Sequence, residues 1–269
     1  MIPQTIHYCW FGHKRIPPEF QKYIESWKRY LPDYEIIKWD ESNFDIHCNS
    51  FVEGSYQTKK YAYVSDFARF SILRKYGGVY FDTDVEVIKP LDDILAAGPY
   101  MGEEGRGKVA AGLGMAMEPE MAFLREMEQL YEEMGFCIFD KKNARSITVV
   151  DLVTGVLVKH GFDLQKDTIQ NVCGINIYPR DYFCPQDYRS GKMTITENTR
   201  TIHHYSETWH SPIYKLLHRI LIVLREKDAH PKITEFVDSL LRRCDRLEIR
   251  GFRGTVKVML KKIFRFQNQ

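Results

Sequence analysis

Residues 61–90 read YAYVSDFARFSILRKYGGVYFDTDVEVIKP. The stretch parses as helix, glycine stop, strand, acidic pair and second strand. Tyr61, Val64, Ala68, Ile72 and Tyr76 recur at steps of three and four, the period of a one-sided helix. Asp66 and Arg69 stand three apart within it, which puts a carboxylate and a guanidinium on one face. Gly77-Gly78 ends the helix where positive φ is wanted. Val79-Tyr80-Phe81 is a short apolar run suited to a strand buried on both faces. It leads into Asp82-Thr83-Asp84. Two carboxylates at the end of a buried strand are costly unless a cation meets them, and a hard divalent ion with phosphate ligands is the natural partner.

The flanking sequence places this stretch in an α/β chain. Ile6, Tyr8 and Trp10 alternate with Thr5, His7 and Cys9 in a first strand. Pro17-Pro18 precedes a helix over 19–30, and 34–39 is a second strand. Strand, helix, strand begins a mostly parallel sheet, whose ligands sit at the carboxyl ends of its strands. Trp10 lies at such an end, where its ring could stack on a nucleobase or simply join the core. Further along, 91–97 is a short helix and GEEGRG (102–107) a flexible polar loop. VAAGLGMAM (109–117) has the character of a strand lying close to a ligand. Residues 119–134 form a helix; 149–159 fits a helix or a buried strand equally well. Thr154-Gly155 is conspicuous there without a derivable role. Residues 175–179 are a strand. Thr201 to Tyr205 is strand-like and holds His203-His204, which must point to opposite faces, so at most one serves a given site. An imidazole there could complete a metal set begun by Asp82 and Asp84.

The 269 residues suit one large domain with an appendage. A hydrophobic fraction of 44% excludes a disordered chain. Six cysteines without CxxC spacing argue against a zinc site and for reduced thiols in a cytosolic setting. No signal peptide and no apolar run of about 18 residues is evident. The net charge of +2 conceals an asymmetry: Lys215 onward carries +8, and residues 1–214 carry −6. The expected division is a catalytic body over 1–211 and a basic, amphipathic, helical tail over 212–269. Such a tail could lie on an anionic membrane or pack on the body.

Nucleotide-sugar transfer requires a neutralised diphosphate, a held base and ribose, and side chains that read sugar hydroxyls. The chain offers Asp82 and Asp84, Trp10, and Asp66 with Arg69 for these tasks. At IHYCWFG (6–12), SWKRYLPDYEIIKWDE (26–41), YAYVSDFARFSILRKYGGVYFDTDVEV (61–87) and TENTRTIHHYSETW (196–209) the sequence resembles the DXD-containing sugar transferases typified by the yeast initiating α-1,6-mannosyltransferase. It is closer to their bacterial capsule and polysaccharide relatives. A more distant similarity is to the glucosyltransferase domains of large clostridial toxins. The resemblance covers about residues 2–210.

It implies a GT-A fold, an αβα sandwich with a single mixed sheet, and a nucleotide-sugar donor, UDP-hexose favoured over GDP-mannose. It implies that Trp10 stacks on the base, with Tyr8 and Ser65 also on the nucleotide side. Asp66 and Arg69 would hold the donor sugar, and Asp82 the ribose and metal-bound water. Asp84 and His203 would join Asp82 around Mn²⁺ or Mg²⁺, and Trp209 would close a loop over the donor. A retaining transferase of surface polysaccharide assembly follows, cytoplasmic, peripheral on the inner membrane face, and without nucleic-acid partners. A metal-dependent phosphohydrolase would want more Asp and His around the acidic pair. A non-catalytic carbohydrate-binding protein would not need intact DTD and SDFAR blocks.

Overall fold

The computed structural model describes residues 1–136, 139–140, 145–146, 148–188, 190–206, 211–227 and 230–244. The chain separates into two compact units. One comprises Met1–Cys137, Thr148–Asp187 and Lys192–Ser206; the other comprises Ile138–Ile147, Tyr188–Gly191 and Glu207–Gln269.

The first unit begins β1 (Thr5–Cys9), α1 (Pro18–Tyr30), β2 (Glu35–Trp39), α2 (Ser50–Gln57), α3 (Tyr61–Tyr76), β3 (Gly78–Tyr80), β4 (Val85–Val87) and α4 (Asp92–Ala96). It continues β5 (Tyr100–Gly105), β6 (Lys108–Ala110), a 3₁₀ turn (Ala111–Leu113), β7 (Met115–Met117) and α5 (Ala122–Met134). A short hairpin of β8 (Phe139–Asp140) and β9 (Arg145–Ser146) belongs to the second unit. The first unit resumes with α6 (Val149–Lys159), β10 (Gln170–Val172), β11 (Ile175–Tyr178), α7 (Arg180–Phe183) and β12 (Thr201–His203).

Eight strands form one mixed sheet in the order β10-β11-β5-β7-β3-β1-β2, with β6 paired to β5. β1 runs parallel to both β2 and β3, and β11 parallel to β5. β7 is antiparallel to β3 and β5. The alternation read in β1 places helices on both sheet faces. Tyr8 packs edge-on against Trp27 of α1, 5.6 Å between ring centroids, whereas His7 faces Tyr76 at the end of α3. This is the αβα arrangement expected. Two features go beyond a single sheet: β4 and β12 form a separate antiparallel ladder, and β8 pairs with β9.

The helix α3 departs from its expected one-sided character. Phe67, Phe70 and Leu73 are buried along with Val64, Ala68 and Ile72, while Tyr76 is exposed. The reason is position: α3 packs against β1 and also against α2 and α5. Phe67 and Phe70 both contact the Tyr131 ring of α5. A helix walled on several sides is apolar nearly all round. Its end is as read. Gly77 and Gly78 both have positive φ, and a Cβ at Gly78 would lie 2.6 Å from the Thr5 carbonyl oxygen.

Three further expectations are refined. Residues 108–117 are not one strand, because the 3₁₀ turn separates β6 from β7. GEEGRG is not a loop throughout, since β5 runs to Gly105. Residues 149–159 are helical, opened by a capping box in which Thr148 and Asp151 satisfy each other's backbone N–H groups. Thr154 gains a role: its hydroxyl accepts the Val109 N–H at 3.0 Å and ties α6 to β6. Cys9, Cys48, Cys173 and Cys184 form no disulfide.

In the second unit, α8 (Pro212–Glu226) starts at Ser211, whose hydroxyl accepts the Tyr214 N–H at 3.2 Å. Residues 231–244 are also helical. Tyr214, Leu221, Val237 and Leu241 form a small core of their own. No helix among the described residues is long and apolar enough to cross a membrane.

Candidate active site

The acidic pair stands where β3 leaves the sheet, and two sets of contacts hold it. Asp82 is held from the α3 side. Arg69 Nη2 lies 2.9 Å from Asp66 Oδ1 and 3.1 Å from Asp82 Oδ1, and Nη1 reaches Asp82 Oδ2 at 3.5 Å. The guanidinium thus bridges two carboxylates. Its Nε donates to the Ser65 carbonyl at 3.1 Å, one helical turn back, and its plane lies over the Tyr80 ring at 4.9 Å. Tyr80 also donates its hydroxyl to Asp82 Oδ1 at 3.1 Å. The i,i+3 spacing of Asp66 and Arg69 therefore serves a buried network.

Asp84 is held from the β12 side. The antiparallel register pairs His203 with Val85, the residue after Asp84. His203 Nε2 consequently lies 3.2 Å from Asp84 Oδ1, and the Ser206 N–H donates to Oδ2 at 2.8 Å. Tyr205, between them, has φ of 46°, a left-handed conformation unusual for a bulky side chain. His204 points the other way, with Nε2 2.8 Å from Glu86 and its ring stacked on Tyr23.

Asp82, Asp84 and His203 each offer a ligand atom within 4.8 Å of the others. The donor set suits a divalent cation that accepts both oxygen and imidazole nitrogen. Two observations support the fit. His203 Nδ1 is buried and has no hydrogen-bond partner. The cluster also gathers three half-buried carboxylates: Asp66 and Asp82 share the Arg69 guanidinium, and Asp84 faces the His203 imidazole. Burial pushes Asp66 up to about 6 against the pull of Arg69, with the charge of Asp82 adding to the rise. Burial pushes Asp82 up as well, again opposed by Arg69. Burial would also raise Asp84, but His203 and the Ser206 N–H hold it well below the usual carboxylate range. Burial would lower His203, and Asp84 raises it above the ordinary imidazole value. Excess negative charge partly withdrawn from water is stabilised by a cation.

Other expected residues sit differently. Trp10 is half-buried at the end of β1, edge-on to Phe20, with its indole N–H donating to the Lys14 carbonyl at 2.7 Å. Tyr8, expected on the nucleotide side, is buried in the core against Trp27. Strand alternation turns it to the α1 face. Ser65 donates its hydroxyl to the Tyr61 carbonyl and contributes to the cluster through its own carbonyl. Trp209 lies outside the described residues, as do 245–269 of the expected tail.

Two residues were not singled out from the sequence. Gly112, in the 3₁₀ turn, accepts the Asp82 N–H at 3.3 Å, and a Cβ there would lie 2.1 Å from Asp82 Oδ2. The G-L-G pattern was its only sequence signal. Glu104 sits at a β-bulge between Glu103 and Gly105. It is half-buried; burial pushes its carboxyl up, and the charges of Lys108 and His203 oppose the shift. Its place in a polar, glycine-flanked run concealed it.

Parts of the chain are similar to known glycosyltransferases. Residues 17–100 match the family described as the glycosyltransferase sugar-binding region containing the DXD motif, and the chain carries that region. An uncharacterized glycosyltransferase, L373 of Acanthamoeba polyphaga mimivirus, is 35% identical over 104 residues, 36% of this chain and 41% of that protein. Inositol phosphoceramide mannosyltransferase 1 of Schizosaccharomyces pombe is 30% identical over 111 residues, 37% of this chain and 33% of its own length. The chain thus matches less than half the length of these relatives. A solved PaToxG glycosyltransferase superposes with a TM-score of 0.46 at 16% identity, over 59% of this chain and 68% of that one.

Proposed function

We propose that the chain is a metal-dependent, retaining glycosyltransferase. It moves a hexose from a nucleotide sugar to a saccharide or lipid-linked saccharide acceptor in surface polysaccharide assembly, at the cytoplasmic face of a membrane. The observation that carries the proposal is the convergence of Asp82, Asp84 and His203 to within 4.8 Å beside the Asp66–Arg69 pair. Asp82, Asp84 and His203 hold Mn²⁺ or Mg²⁺. When bound, the cation supplies Lewis-acid neutralisation of the diphosphate leaving group.

The chain's own residues bind and orient the donor. Arg69 fixes the carboxylates of Asp66 and Asp82, and Asp66 accepts hydrogen bonds from donor-sugar hydroxyls. Tyr80 and the Gly112 carbonyl fix the rotamer and backbone of Asp82, so the metal face is preorganised. Trp10 offers its ring to the base, and Ser65 lies near the ribose.

The donor is a UDP-hexose by the toxin-like resemblance. A second reading, mannosyl transfer from GDP-mannose, is favoured by two relatives named inositol phosphoceramide mannosyltransferase. Thermal-shift measurements with UDP, GDP and CMP, with and without Mn²⁺, separate the two. A shift with one nucleotide that requires Mn²⁺ and is lost in Asp84→Asn is expected. No shift with any nucleotide, or turnover unchanged in both Asp84→Asn and His203→Ala, would sink the proposal. Release of phosphate from simple esters without nucleotide binding would point instead to a phosphohydrolase.

A further inference from the structure

The helix α8 is apolar on two sides. One side, with Tyr214, Leu217, Leu221 and Leu224, packs with Val237, Leu241 and Cys244 of the helical segment 231–244. His218 is on the same side and hydrogen-bonds the Tyr188 carbonyl through Nε2 at 3.2 Å. The other side carries Ile213, Leu216, Ile220 and Val223 at i, i+3, i+7 and i+10, a single stripe along the helix. These four side chains are between 40% and 65% exposed. The segment 231–244 repeats the pattern with Ile233 and Phe236, both exposed. A soluble helix normally puts charge opposite its core face, and this one puts branched aliphatic residues there.

Among the described side chains of 211–244, the exposed charges are mostly cationic. Arg219 on α8 and Lys227 at its C-terminal cap are exposed, as are Lys232 and Arg243 in the second segment. Glu235 is the one carboxylate among the described side chains of 211–244 that is exposed. The sequence from Lys215 onward has a net charge of +8. An apolar stripe bordered by cations complements a surface of hydrocarbon beneath anionic headgroups. A second copy of the same face fits less well, because a two-fold pairing sets each patch against its own like charges.

We infer that the Ile213–Leu216–Ile220–Val223 face of α8, with its bordering cations, is a docking surface for anionic phospholipid bilayers. Four apolar side chains enter the acyl boundary, and Arg219 and Lys227 meet the headgroups. The inference goes beyond the proposed transfer reaction by assigning the membrane contact to a particular face, and it requires no donor or acceptor.

The test is vesicle flotation of the full chain. Phosphatidylcholine vesicles are compared with vesicles of equal parts phosphatidylcholine and phosphatidylglycerol. Binding to the anionic vesicles only, reversed by high salt, is expected. Leu216→Ser with Ile220→Ser abolishes flotation while leaving the melting temperature in place, because both side chains are exposed. Arg219→Glu with Lys227→Glu weakens binding by at least about 20-fold, from roughly fivefold per cation removed. Wild-type protein that does not float, or either double variant floating like wild type, overturns the inference. So does a concentration-dependent dimer in light scattering that the apolar double variant abolishes, if vesicles are not bound. Vesicle binding retained without a Mn²⁺-dependent nucleotide shift counts against the transferase proposal alone. The converse result counts against the docking surface alone.

Discussion

Arg69 is a buried cation that bridges two half-buried carboxylates, Asp66 and Asp82, and the residue-scale predictions start from it. Removing it in Arg69→Ala leaves the half-buried Asp66 and Asp82 without their counter-charge. A loss of about 3–5 kcal/mol is expected in urea unfolding, because breaking a buried pair from one side is costly. Gly112 gives the cleaner functional test. Its φ is not in the left-handed region, so Gly112→Ala leaves the backbone in place, but the new Cβ meets Asp82 Oδ2. The carboxylate must rotate away. We expect nucleotide-sugar turnover to fall on the order of 100-fold with an unchanged circular dichroism spectrum. Turnover within a few-fold of wild type would show that the rotamer of Asp82 is unimportant.

His7 supplies a pH dependence remote from the cluster. Its Nδ1 accepts the Trp39 indole N–H at 3.1 Å, so Nε2 carries the proton and donates to the Gly77 carbonyl at 3.0 Å. Burial lowers its pKa from 6.5 to about 4, partly offset by the bond to Gly77. The folded protein thus takes up this proton only well below the pH at which the unfolded chain does. The stabilisation is present above pH 6.5 and is lost as pH falls through about 4, amounting to roughly 3 kcal/mol. Urea unfolding at a series of pH values should show that slope, and His7→Gln should flatten it.

At the scale of elements, the site depends on two short ladders and a turn. Gly77-Gly78 reverses the chain so that Asp82 returns to within reach of Arg69, thirteen residues earlier. The β4–β12 pairing brings His203 to Asp84 across more than a hundred residues. Elements away from these contacts should affect stability without touching chemistry. The box at the start of α6 is one: Thr148→Ala removes a side-chain cap and should cost about 1 kcal/mol in urea unfolding, with turnover unchanged. A large loss of turnover in that variant would mean that α6 acts on the site through Thr154 and β6.

For the whole molecule, the excess negative charge of the cluster links folding to ligand binding. Saturating Mn²⁺ and the matching nucleotide at 100 times the dissociation constant should add about 2.7 kcal/mol, read as a higher melting temperature that EDTA reverses. Nucleotide alone should do much less. Equal shifts with and without Mn²⁺ would show that Asp82, Asp84 and His203 do not hold a cation. The basic second unit, with its own small core, presents a chemistry separate from this cluster.

Much of this was legible in the chain. The 3.6-residue period, the Gly77-Gly78 stop and the apolar run before Asp82 follow from local sterics and burial, which act over a few residues. The alternation in β1 and the spacing of Asp66 and Arg69 are equally local. Even the choice between His203 and His204 was limited to one by strand geometry. The tertiary structure decided what depends on separation in space. It turned Tyr8 into a core residue, because the sheet face to which alternation assigns it is covered by α1. It joined Arg69 to Asp82, placed Gly112 against that carboxylate, and put Glu104 on a bulge. It left one face of α8 apolar and exposed. Periodicity tells which side chains share a face; only the packed chain decides what that face meets, because contacts between distant residues are set by how elements stack.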